Sequence, residues 1–361
     1  MSKLPPRVWV LNLDAEHELA TSGSFTPSAS LRRIVATQRA ALLGALVAPG
    51  DYLLLDPKDA ALAPSASLHP QALQLDPAVD GIQAVGRSAS ETRSAGSQSA
   101  FAEHLVPVRD IKCLRGLIGV AWSPTPSALA LLRSVGAVVP PSPSIAILRA
   151  VNARPFTAQL RGRLELDSHA LSKYVASNMV ETLAVLSKPA PMGWLVRRTF
   201  GAAGRGRMRI ESIANPGRAS VSKGERVWLV ASLQAGPLVL EPWVEITEEY
   251  TRSAWLHGDG TISISAPCFQ ETRTNGAWEG TRRTAGGEVA RADDSALAAA
   301  VEGAGRALHS AGYHGPFGVD AFRHKSASTG QSILNPMSEI NARFTMDWTC
   351  AMGKRDIESA S

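Results

Sequence analysis

The sequence has few cysteines, few aromatic residues and no apolar run long enough to span a membrane. Its three cysteines stand far apart in 361 residues, so neither a disulfide framework nor a cysteine metal motif is predicted, and a cytoplasmic location is expected. Aromatic residues make up 6% of the chain and the basic residues behind its net charge of +5 are scattered, which argues against nucleic-acid binding. The short apolar "VWVLNL" runs into acidic residues, so no signal peptide is expected.

The composition predicts a globular protein with more than one domain. A hydrophobic content of 45% over 361 residues allows a substantial core. Near the start, strand-like "RVWVLNL", a helical pattern over 30–50 and strand-like "YLLLD" predict a parallel α/β unit. The proline cluster at 140–144 predicts a domain boundary, with a helix over about 145–161 after it. Strands then dominate, among them "RVWLVASL", and a long helix precedes a closing hairpin.

The stretch "FGAAGRGRMRI" combines glycines with arginines, directly after the strand-like "WLVRR". Gly201, Gly204 and Gly206 would let the backbone approach a ligand closely, and guanidinium groups such as that of Arg197 suit phosphate oxygens. The spacing G-x-x-G-x-G differs from the dinucleotide fingerprint G-x-G-x-x-G. The pattern favours a phosphate-binding loop, and a glycine-rich hairpin turn with solvated arginines is the alternative.

The closing hairpin carries carboxylates on facing strands. If its turn centres on Thr329–Gly330, antiparallel pairing places Asp320 opposite Glu339. Glu339, Asn341 and Arg343 alternate along one face of the second strand. Three oxygen-bearing side chains beside an arginine suit Mg²⁺ that is shared with nucleotide phosphates. A salt-bridge ladder on the surface is the alternative.

Together these motifs resemble the ATP-grasp superfamily over about residues 140–350. "RRTFGAAGRG" looks like the family's lysine strand and glycine loop, "LVLEPWVEITEEYT" like its adenine-side hinge, and "GVDAF" with "MSEINAR" like its metal hairpin. The resemblance implies an α/β fold, α+β in the catalytic part. It would have an amino-terminal α/β pre-ATP-grasp domain over 1–140 and an ATP-grasp domain over 141–361. The latter would divide into a lid subdomain at about 165–240 and a catalytic subdomain at about 241–361.

The resemblance also implies an activity. The chain would be an ATP- and Mg²⁺-dependent carboxylate–amine ligase that acts through an acyl phosphate, with Mn²⁺ as an alternative metal. Its partners would be ATP, a small carboxylate and an amine, with no nucleic acid and no membrane, and a homodimer is left open. Two alternatives remain: a phosphotransferase that stops at phosphoryl transfer, and a non-catalytic nucleotide-binding protein.

The family pattern assigns roles to single residues. The expected metal ligands are Asp320, Glu339 and Asn341, and Arg343 and Arg197 would act in catalysis. The expected nucleotide contacts are Arg154, Arg197, Gly201, Gly204, Gly206, Glu241, Trp243, Val244 and Glu249. Arg154 and Arg197 stand where the family usually has lysines. Glu248 is the alternative to Glu249 for the ribose, because the register slips by one residue here.

Two further segments are expected to face a ligand. "CFQETRTNGAWEGTRRTAGG" is too polar for a core and rich in arginine. Arg282 or Arg283, of which we favour Arg282 as catalytic, would reach the transferred phosphoryl group, and exposed loop cations are the alternative. Near the start, Asn12, Glu16 and Glu18 follow a buried strand, where open α/β sheets bind ligands, and would hold a substrate amine.

Overall fold

The computed structural model describes residues 5–21, 28–43, 46–48, 50–55, 83–87, 105–107, 111–166, 171, 173–201, 206–214, 220–272, 278–327 and 329–353. The chain divides into two compact units. The first comprises Met1–Glu18 and Gly23–Ser142, and the second comprises Leu19–Ser22 and Pro143–Ser361. No helix among the described residues is long and apolar enough to cross a membrane.

The amino-terminal part is built around a five-stranded sheet in the order β4-β3-β2-β1-β5. Its strands are β1 (Arg7–Val10), β2 (Tyr52–Leu55), β3 (Gln83–Arg87), β4 (Leu105–Pro107) and β5 (Ile118–Ala121). Its helices are α1 (Ala15–Ala20), α2 (Ala29–Leu43), α3 (Pro126–Ser134) and a 3-10 helix at Ile111–Leu114. The apolar strand β1 pairs in parallel with β2 and β5, which confirms the predicted α/β class.

The second unit contains a four-stranded antiparallel sheet, here called the lid sheet, in the order β6-β9-β7-β8. Its strands are β6 (Tyr174–Ala176), β7 (Trp194–Arg198), β8 (Arg207–Ile210) and β9 (Leu238–Pro242). Helices α6 (Met179–Leu186) and α7 (Lys223–Leu233) pack against it through Leu186 and Leu229, which are fully buried.

A six-stranded antiparallel sheet, here called the hairpin sheet, follows in the order β13-β12-β10-β14-β15, with β11 on β10. The strands are β10 (Glu245–Leu256), β11 (Ile262–Ile264), β12 (Cys268–Thr272), β13 (Trp278–Arg283), β14 (Gly315–Lys325) and β15 (Ser332–Asn341). The helices are α4 (Ile145–Asn152), α5 (Arg154–Arg163), α8 (Arg291–Ser310) and α9 (Trp348–Ala351). Apolar side chains of α8, such as Val301 and Leu308, form the core with Phe317 and Ile340. These antiparallel sheets confirm the α+β character predicted for the catalytic part.

The single helix predicted over 145–161 is two helices, α4 and α5. Between them Ala153 is extended, with φ −72° and ψ 128°. Pro155 causes the break, because proline has no amide hydrogen and its ring clashes with the carbonyl four residues earlier. Helix α5 therefore begins at Arg154, whose amide donates to the Thr199 carbonyl at 3.0 Å.

The segment "RVWLVASL", predicted as a strand, is the helix α7. Its β-branched residues favour a strand, but a capping box outweighs that preference. The Glu225 amide donates to Ser222 Oγ at 3.2 Å, and the Ser222 amide donates to Glu225 Oε2 at 2.7 Å. These two hydrogen bonds satisfy amides that the first turn of a helix leaves without partners.

Asp320 pairs with Glu339 as predicted, but the turn lies elsewhere. Lys325 pairs with Ser332 near the turn. The centre of the turn therefore lies one residue earlier than the predicted Thr329–Gly330. The pairing then shifts by two residues, because 336–338 all lie opposite Ala321. Pro336 cannot donate to the ladder, so a bulge forms there. The earlier turn and the bulge together restore the predicted pair.

The three cysteines are free thiols, but two of them are neighbours. The Sγ atoms of Cys268 and Cys350 lie 4.0 Å apart although the residues are 82 positions apart in the sequence. Wide spacing along the chain therefore does not show that cysteines are distant in the fold.

Candidate functional site

Five charged side chains form a continuous series of ion pairs between the lid sheet and the hairpin sheet. Lys173 Nζ lies 3.0 Å from Glu241 Oε2, and Arg197 Nη1 lies 3.4 Å from Glu241 Oε1. Arg197 Nη2 lies 3.2 Å from Glu339 Oε2, and Arg154 Nη2 lies 3.0 Å from Glu339 Oε1. We call these five residues the ion-pair chain. Its charges alternate, so that each carboxylate lies between two cations.

Strand geometry explains why Arg197 belongs to the ion-pair chain and its neighbour does not. Glu241 pairs with Leu195, so Glu241 and Arg197 share one face of the lid sheet. Arg198 lies on the other face, where its Nε donates to Ser232 Oγ at 2.9 Å on α7. Of the two adjacent arginines, only Arg197 therefore contacts the carboxylates.

A further arginine lies on the same face. Arg207 on β8 pairs directly with Arg197. Burial lowers the pKa of Arg207, and the positive charges of Arg197 and Arg154 lower it further, while Glu249 and Glu339 oppose the shift. This part of the lid sheet therefore concentrates positive charge.

The ion-pair chain is largely removed from solvent. The exposed side-chain fractions are 3% for Lys173, 8% for Glu241 and 10% for Arg154. Burial raises the pKa of Glu339, but Arg154 and Arg197 outweigh burial and bring this pKa down to about 2. Burial also raises the pKa of Glu241, and Lys173 and Arg197 reverse that effect, so the net shift is downward. Both carboxylates are therefore anions at neutral pH.

The other predicted metal residues lie beside Glu339 on the hairpin. Asn341 Nδ2 donates to Asp320 Oδ2 at 2.9 Å, and Gln270 Nε2 donates to Asp320 Oδ1 at 3.3 Å. Arg343 Nη2 donates to Asn341 Oδ1 at 3.1 Å. The structure thus brings together Asp320, Asn341 and Arg343 as the hairpin pattern predicted.

The electrostatics around Asp320 favour a cation. Burial raises the pKa of Asp320 to about 7, and the negative charges of Asp347 and Glu339 contribute to the increase. Among the described residues no group of three or more His, Cys, Asp or Glu side chains is arranged to hold a metal ion. A metal bound here would therefore need the amide oxygen of Asn341 as well as the carboxylates of Asp320 and Glu339.

The two glutamates considered for the ribose lie in different environments. A bulge follows Ile246 in β10, after which Glu249 pairs with Phe322 and Thr251 with Asp320. Glu249 therefore shares a face with Asp320, and its Oε2 is buried without a hydrogen-bond partner. Glu248 is exposed and accepts a hydrogen bond from the Tyr250 hydroxyl.

The predicted hinge connects the two sheets. The Trp243 amide donates to the Gly193 carbonyl at 2.8 Å, and the Arg209 guanidinium lies 4.9 Å from the centre of the Trp243 ring. Val244 is half-buried and precedes β10. The Trp243 amide is thus used in folding the hinge.

The glycine loop is described at its two ends only, and Gly204 lies outside the described residues. The Gly201 carbonyl accepts a hydrogen bond from Arg154 Nη2 at 2.6 Å. Gly206 has φ +70°, and a Cβ there would lie 3.3 Å from the Phe200 carbonyl oxygen, so only glycine fits without strain. Arg154 Nε, beside this loop, is buried and has no hydrogen-bond partner.

Arg282 is not brought into this cluster. It is half-exposed, forms two hydrogen bonds of 2.8 Å with Glu288 and stacks 4.7 Å from the Phe269 ring centre. Arg283 points to the opposite face, as alternation in a strand requires, and donates to the Cys350 carbonyl. The catalytic role of either arginine stays a prediction.

In the first unit, two of the predicted amine-binding residues have partners within the unit. Asn12 Nδ2 donates to the Ser123 carbonyl at 2.9 Å, and its Oδ1 accepts from the Ser123 amide at 3.1 Å. The Glu18 carboxylate accepts from the Ser127 amide at 3.1 Å and from the Ser127 hydroxyl at 2.5 Å. Glu16 lies on α1.

Sequence analysis missed Lys173 and Arg161. Lys173 Nζ donates to the Ser338 carbonyl at 2.5 Å, and the fully buried Arg161 donates to the Met337 carbonyl. Both carbonyls belong to the bulge of β15. No signal in the sequence identifies these cations, because their acceptors in the bulge, and the Glu241 carboxylate beside Lys173, lie far from them along the chain.

No protein-family model and no curated protein matches the chain. It is similar to N5-carboxyaminoimidazole synthetase from Staphylococcus aureus, solved with ADP, at 12% identity and a TM-score of 0.44, over 96% of this chain and 73% of that one. It is similar to Campylobacter jejuni biotin carboxylase at 11% identity and a TM-score of 0.49, over 72% and 54% of the chains. It is also similar to Rhizobium etli pyruvate carboxylase at 17% identity and a TM-score of 0.45, over 65% and 19%.

These solved structures are ATP-grasp proteins. They belong to the superfamily that the motifs of this chain resemble. The chain spans less than two thirds of the length of the two carboxylases.

Proposed function

We propose that this chain is an ATP-grasp enzyme that uses ATP and Mg²⁺ to join a small carboxylate to an amine. The ion-pair chain is the observation that supports this proposal. Two arginines at the glycine loop share Glu339, a residue of the proposed metal hairpin. Phosphate groups and a divalent cation are the ligands that suit such a juxtaposition of guanidinium forks and carboxylates.

The phosphates of ATP would be bound by Arg154 and Arg197, with Arg207 adding charge from the same face of the lid sheet. Arginine binds phosphate oxygens through two parallel N–H donors. Arg154 Nε is buried without a partner, so this donor is available to a ligand. The two arginines can therefore replace the lysines of the family while keeping the positive charge.

Asp320, Glu339 and Asn341 would hold Mg²⁺ or Mn²⁺. The fit rests on Asp320. Its pKa is raised to about 7 by burial and by the negative charges of Asp347 and Glu339. Hard carboxylate and amide oxygens are the ligands that Mg²⁺ prefers. The bound metal would neutralise the negative charge that develops on the transferred phosphoryl group.

The nucleoside would be bound at the hinge and on β10. Glu249 would accept hydrogen bonds from the ribose hydroxyls, since its Oε2 is buried without a partner. Adenine would lie against Trp243 and Val244. Because Pro242 has no amide hydrogen and the Trp243 amide is used by Gly193, we assign the backbone contact to Val244.

The proposed reaction has two steps. An oxygen of the substrate carboxylate forms a bond to the γ-phosphorus as the bond to ADP breaks. The nitrogen of the neutral amine then forms a bond to the acyl carbon as the bond from that carbon to the phosphate oxygen breaks, and the proton lost from nitrogen leaves with the phosphate. Arg197 and Arg343 would stabilise the charge on the moving phosphoryl group. No side chain needs to act as a covalent nucleophile, and water must be excluded because an acyl phosphate hydrolyses.

A phosphate-release screen tests this function. Amino acids and small carboxylates are offered singly and in pairs with ATP and Mg²⁺, and products are identified by mass spectrometry. We expect phosphate release and a condensation product only when a carboxylate and an amine are both present. A phosphorylated product that forms without any amine would support a phosphotransferase instead. Nucleotide binding with no turnover in the whole screen would support the non-catalytic alternative.

A further inference from the structure

Lys173 ends the ion-pair chain at its most buried point. Its side chain is 3% exposed, and its ammonium group lies 3.0 Å from Glu241 Oε2. It stands directly before β6, the edge strand of the lid sheet, whereas its other contact is the Ser338 carbonyl in the bulge of β15. Lys173 therefore connects the lid sheet to the backbone segment that presents Glu339.

Glu241 divides its carboxylate between two cations. Oε2 faces Lys173 at 3.0 Å, and Oε1 faces Arg197 at the longer distance of 3.4 Å. Because the side chain of Glu241 is 8% exposed, water cannot take the place of a lost partner. A buried carboxylate without compensation is costly, so Glu241 must keep its cations.

Arg197 is shared in turn. One of its terminal nitrogens faces Glu241 at 3.4 Å and the other faces Glu339 at 3.2 Å. As long as Lys173 neutralises Glu241, Arg197 is not needed there as the main partner. Without Lys173, Arg197 is the remaining neighbour of Glu241 in the ion-pair chain, and the positive charge of the buried Arg161 also lowers the pKa of Glu241. The Arg197 guanidinium would then turn toward Glu241 and away from Glu339.

We infer that Lys173 is a positioning residue of the nucleotide site: it neutralises Glu241, so that Arg197 faces Glu339 and the phosphates as well as Glu241. This inference rests on the proposed function. It also changes the role expected for Glu241. Both carboxylate oxygens of Glu241 face cations. Glu241 therefore influences phosphate binding through Arg197 and does not bind the adenine amino group.

The test compares Lys173→Met with Lys223→Met, which makes the same change at an exposed position of α7. Binding of a non-hydrolysable ATP analogue with Mg²⁺, and of adenosine, is measured by calorimetry. We expect Lys173→Met to lower the affinity for the analogue about tenfold, which is the order of one hydrogen bond to a charged group. The affinity for adenosine should stay within twofold of the wild-type value. Lys223→Met should bind both ligands as the wild type does.

The single variant Glu241→Gln and the double variant Lys173→Met/Glu241→Gln complete a double-mutant cycle. The double variant has no unpaired Glu241 carboxylate, so it can be compared with Glu241→Gln even if Lys173→Met does not fold. Because both residues act through Arg197, we expect the double variant to bind the analogue about as weakly as Glu241→Gln alone. Additive losses would mean that Lys173 acts independently of Glu241 and would overturn the inference.

Other outcomes separate the inference from the proposed function. A lowered melting temperature with unchanged binding in Lys173→Met would show a purely structural lysine and would overturn the inference alone. Equal weakening of adenosine and of the analogue would also overturn it, since a positioning role acts on the phosphate end. If the wild type binds no analogue, the proposed function fails, and the inference fails with it.

Discussion

Polar side chains are satisfied in different ways in the two units of the chain. In the first unit, Asn12 and Glu18 bond to the backbone and hydroxyl groups of Ser123 and Ser127. In the second unit, Glu241 and Glu339 bond to side-chain cations that are themselves shared. The first arrangement is a set of separate hydrogen bonds, and the second is a connected network of charges.

This difference separates groups that hold the fold from groups suited to a ligand. Asn12 uses its amide donor and its carbonyl acceptor, which leaves little for a substrate amine. The guanidinium groups of Arg154 and Arg197 both pair with the Glu339 carboxylate. If a metal ion bound that carboxylate, phosphate oxygens could replace it as the partner of the two arginines. We therefore expect substitutions in the ion-pair chain to affect ligand binding, and substitutions in the first unit to affect stability.

The largest effect is expected for Glu339→Gln, which removes a proposed metal ligand at almost constant volume. Turnover of ATP should fall at least about a hundredfold, because the charge on the transferred phosphoryl group loses its stabilisation. Steady-state phosphate release measures the loss, and circular dichroism checks the fold. Asp320→Asn should behave in the same way.

Glu302→Gln is the matched control for Glu339→Gln. It removes a carboxylate that also pairs with an arginine, Arg306, but in an exposed position of α8. Its turnover should equal that of the wild type. Turnover of Glu339→Gln within twofold of wild type would exclude Glu339 from the metal site.

The next effect is expected for Arg197→Ala, for which the chain offers an adjacent control. Arg197 faces Glu339, whereas Arg198 on the other face of β7 bonds Ser232. Arg197→Ala should weaken binding of an ATP analogue more than tenfold, since hydrogen bonds to a charged group contribute roughly 1.5–3 kcal/mol each, and should leave adenosine binding unchanged. Arg198→Ala should lower the melting temperature and leave both affinities alone. If Arg198→Ala proved the more damaging for the analogue, the assignment of the two faces would be wrong.

Sequence patterns predicted those parts of the fold that depend on neighbouring residues. The apolar runs of β1 and β2 and the long helix α8 follow from local periodicity. The pairing of Asp320 with Glu339 was predicted from a turn one residue too late, and the bulge of β15 compensates for that difference. The Ser-x-x-Glu pattern of Ser222 and Glu225 is also a local signal, because it is typical of a capping box at the start of a helix. It indicates α7 more reliably than the β-branched residues indicate a strand.

Other parts depend on contacts that no local pattern contains. A strand presents alternate residues to opposite faces, so a choice between Arg282 and Arg283 requires the register of β12 and β13, which itself shifts after Glu271. Lys173 resembles any surface lysine in the sequence. Its burial follows only from Glu241 on another strand and from the bulge carbonyl of Ser338.

A smaller effect is expected at the ribose position, where Glu249 and Glu248 form a natural pair for comparison. Glu249→Ala should raise the KM for ATP about tenfold, the order of one hydrogen bond to a charged carboxylate, and leave the KM for the carboxylate substrate unchanged. Glu248→Ala changes an exposed residue that bonds Tyr250, so its KM for ATP should stay within twofold. The reverse result would place the ribose one residue earlier along β10.

The smallest effect on activity is expected in the first unit. Asn12→Ala removes hydrogen bonds to the Ser123 backbone and to Thr125, which connect the end of β1 to the segment after β5. The free energy of unfolding should fall by about 1–3 kcal/mol, because the Ser123 amide and carbonyl lose a partner. The KM values for ATP, carboxylate and amine should not change if Asn12 serves the fold alone. Denaturant titration and steady-state kinetics on the same preparation measure both quantities. A KM for the amine that rises several-fold while stability is unchanged would return Asn12 to the substrate site. It would also show that hydrogen bonds to backbone and hydroxyl groups do not distinguish structural from ligand-binding residues in this protein.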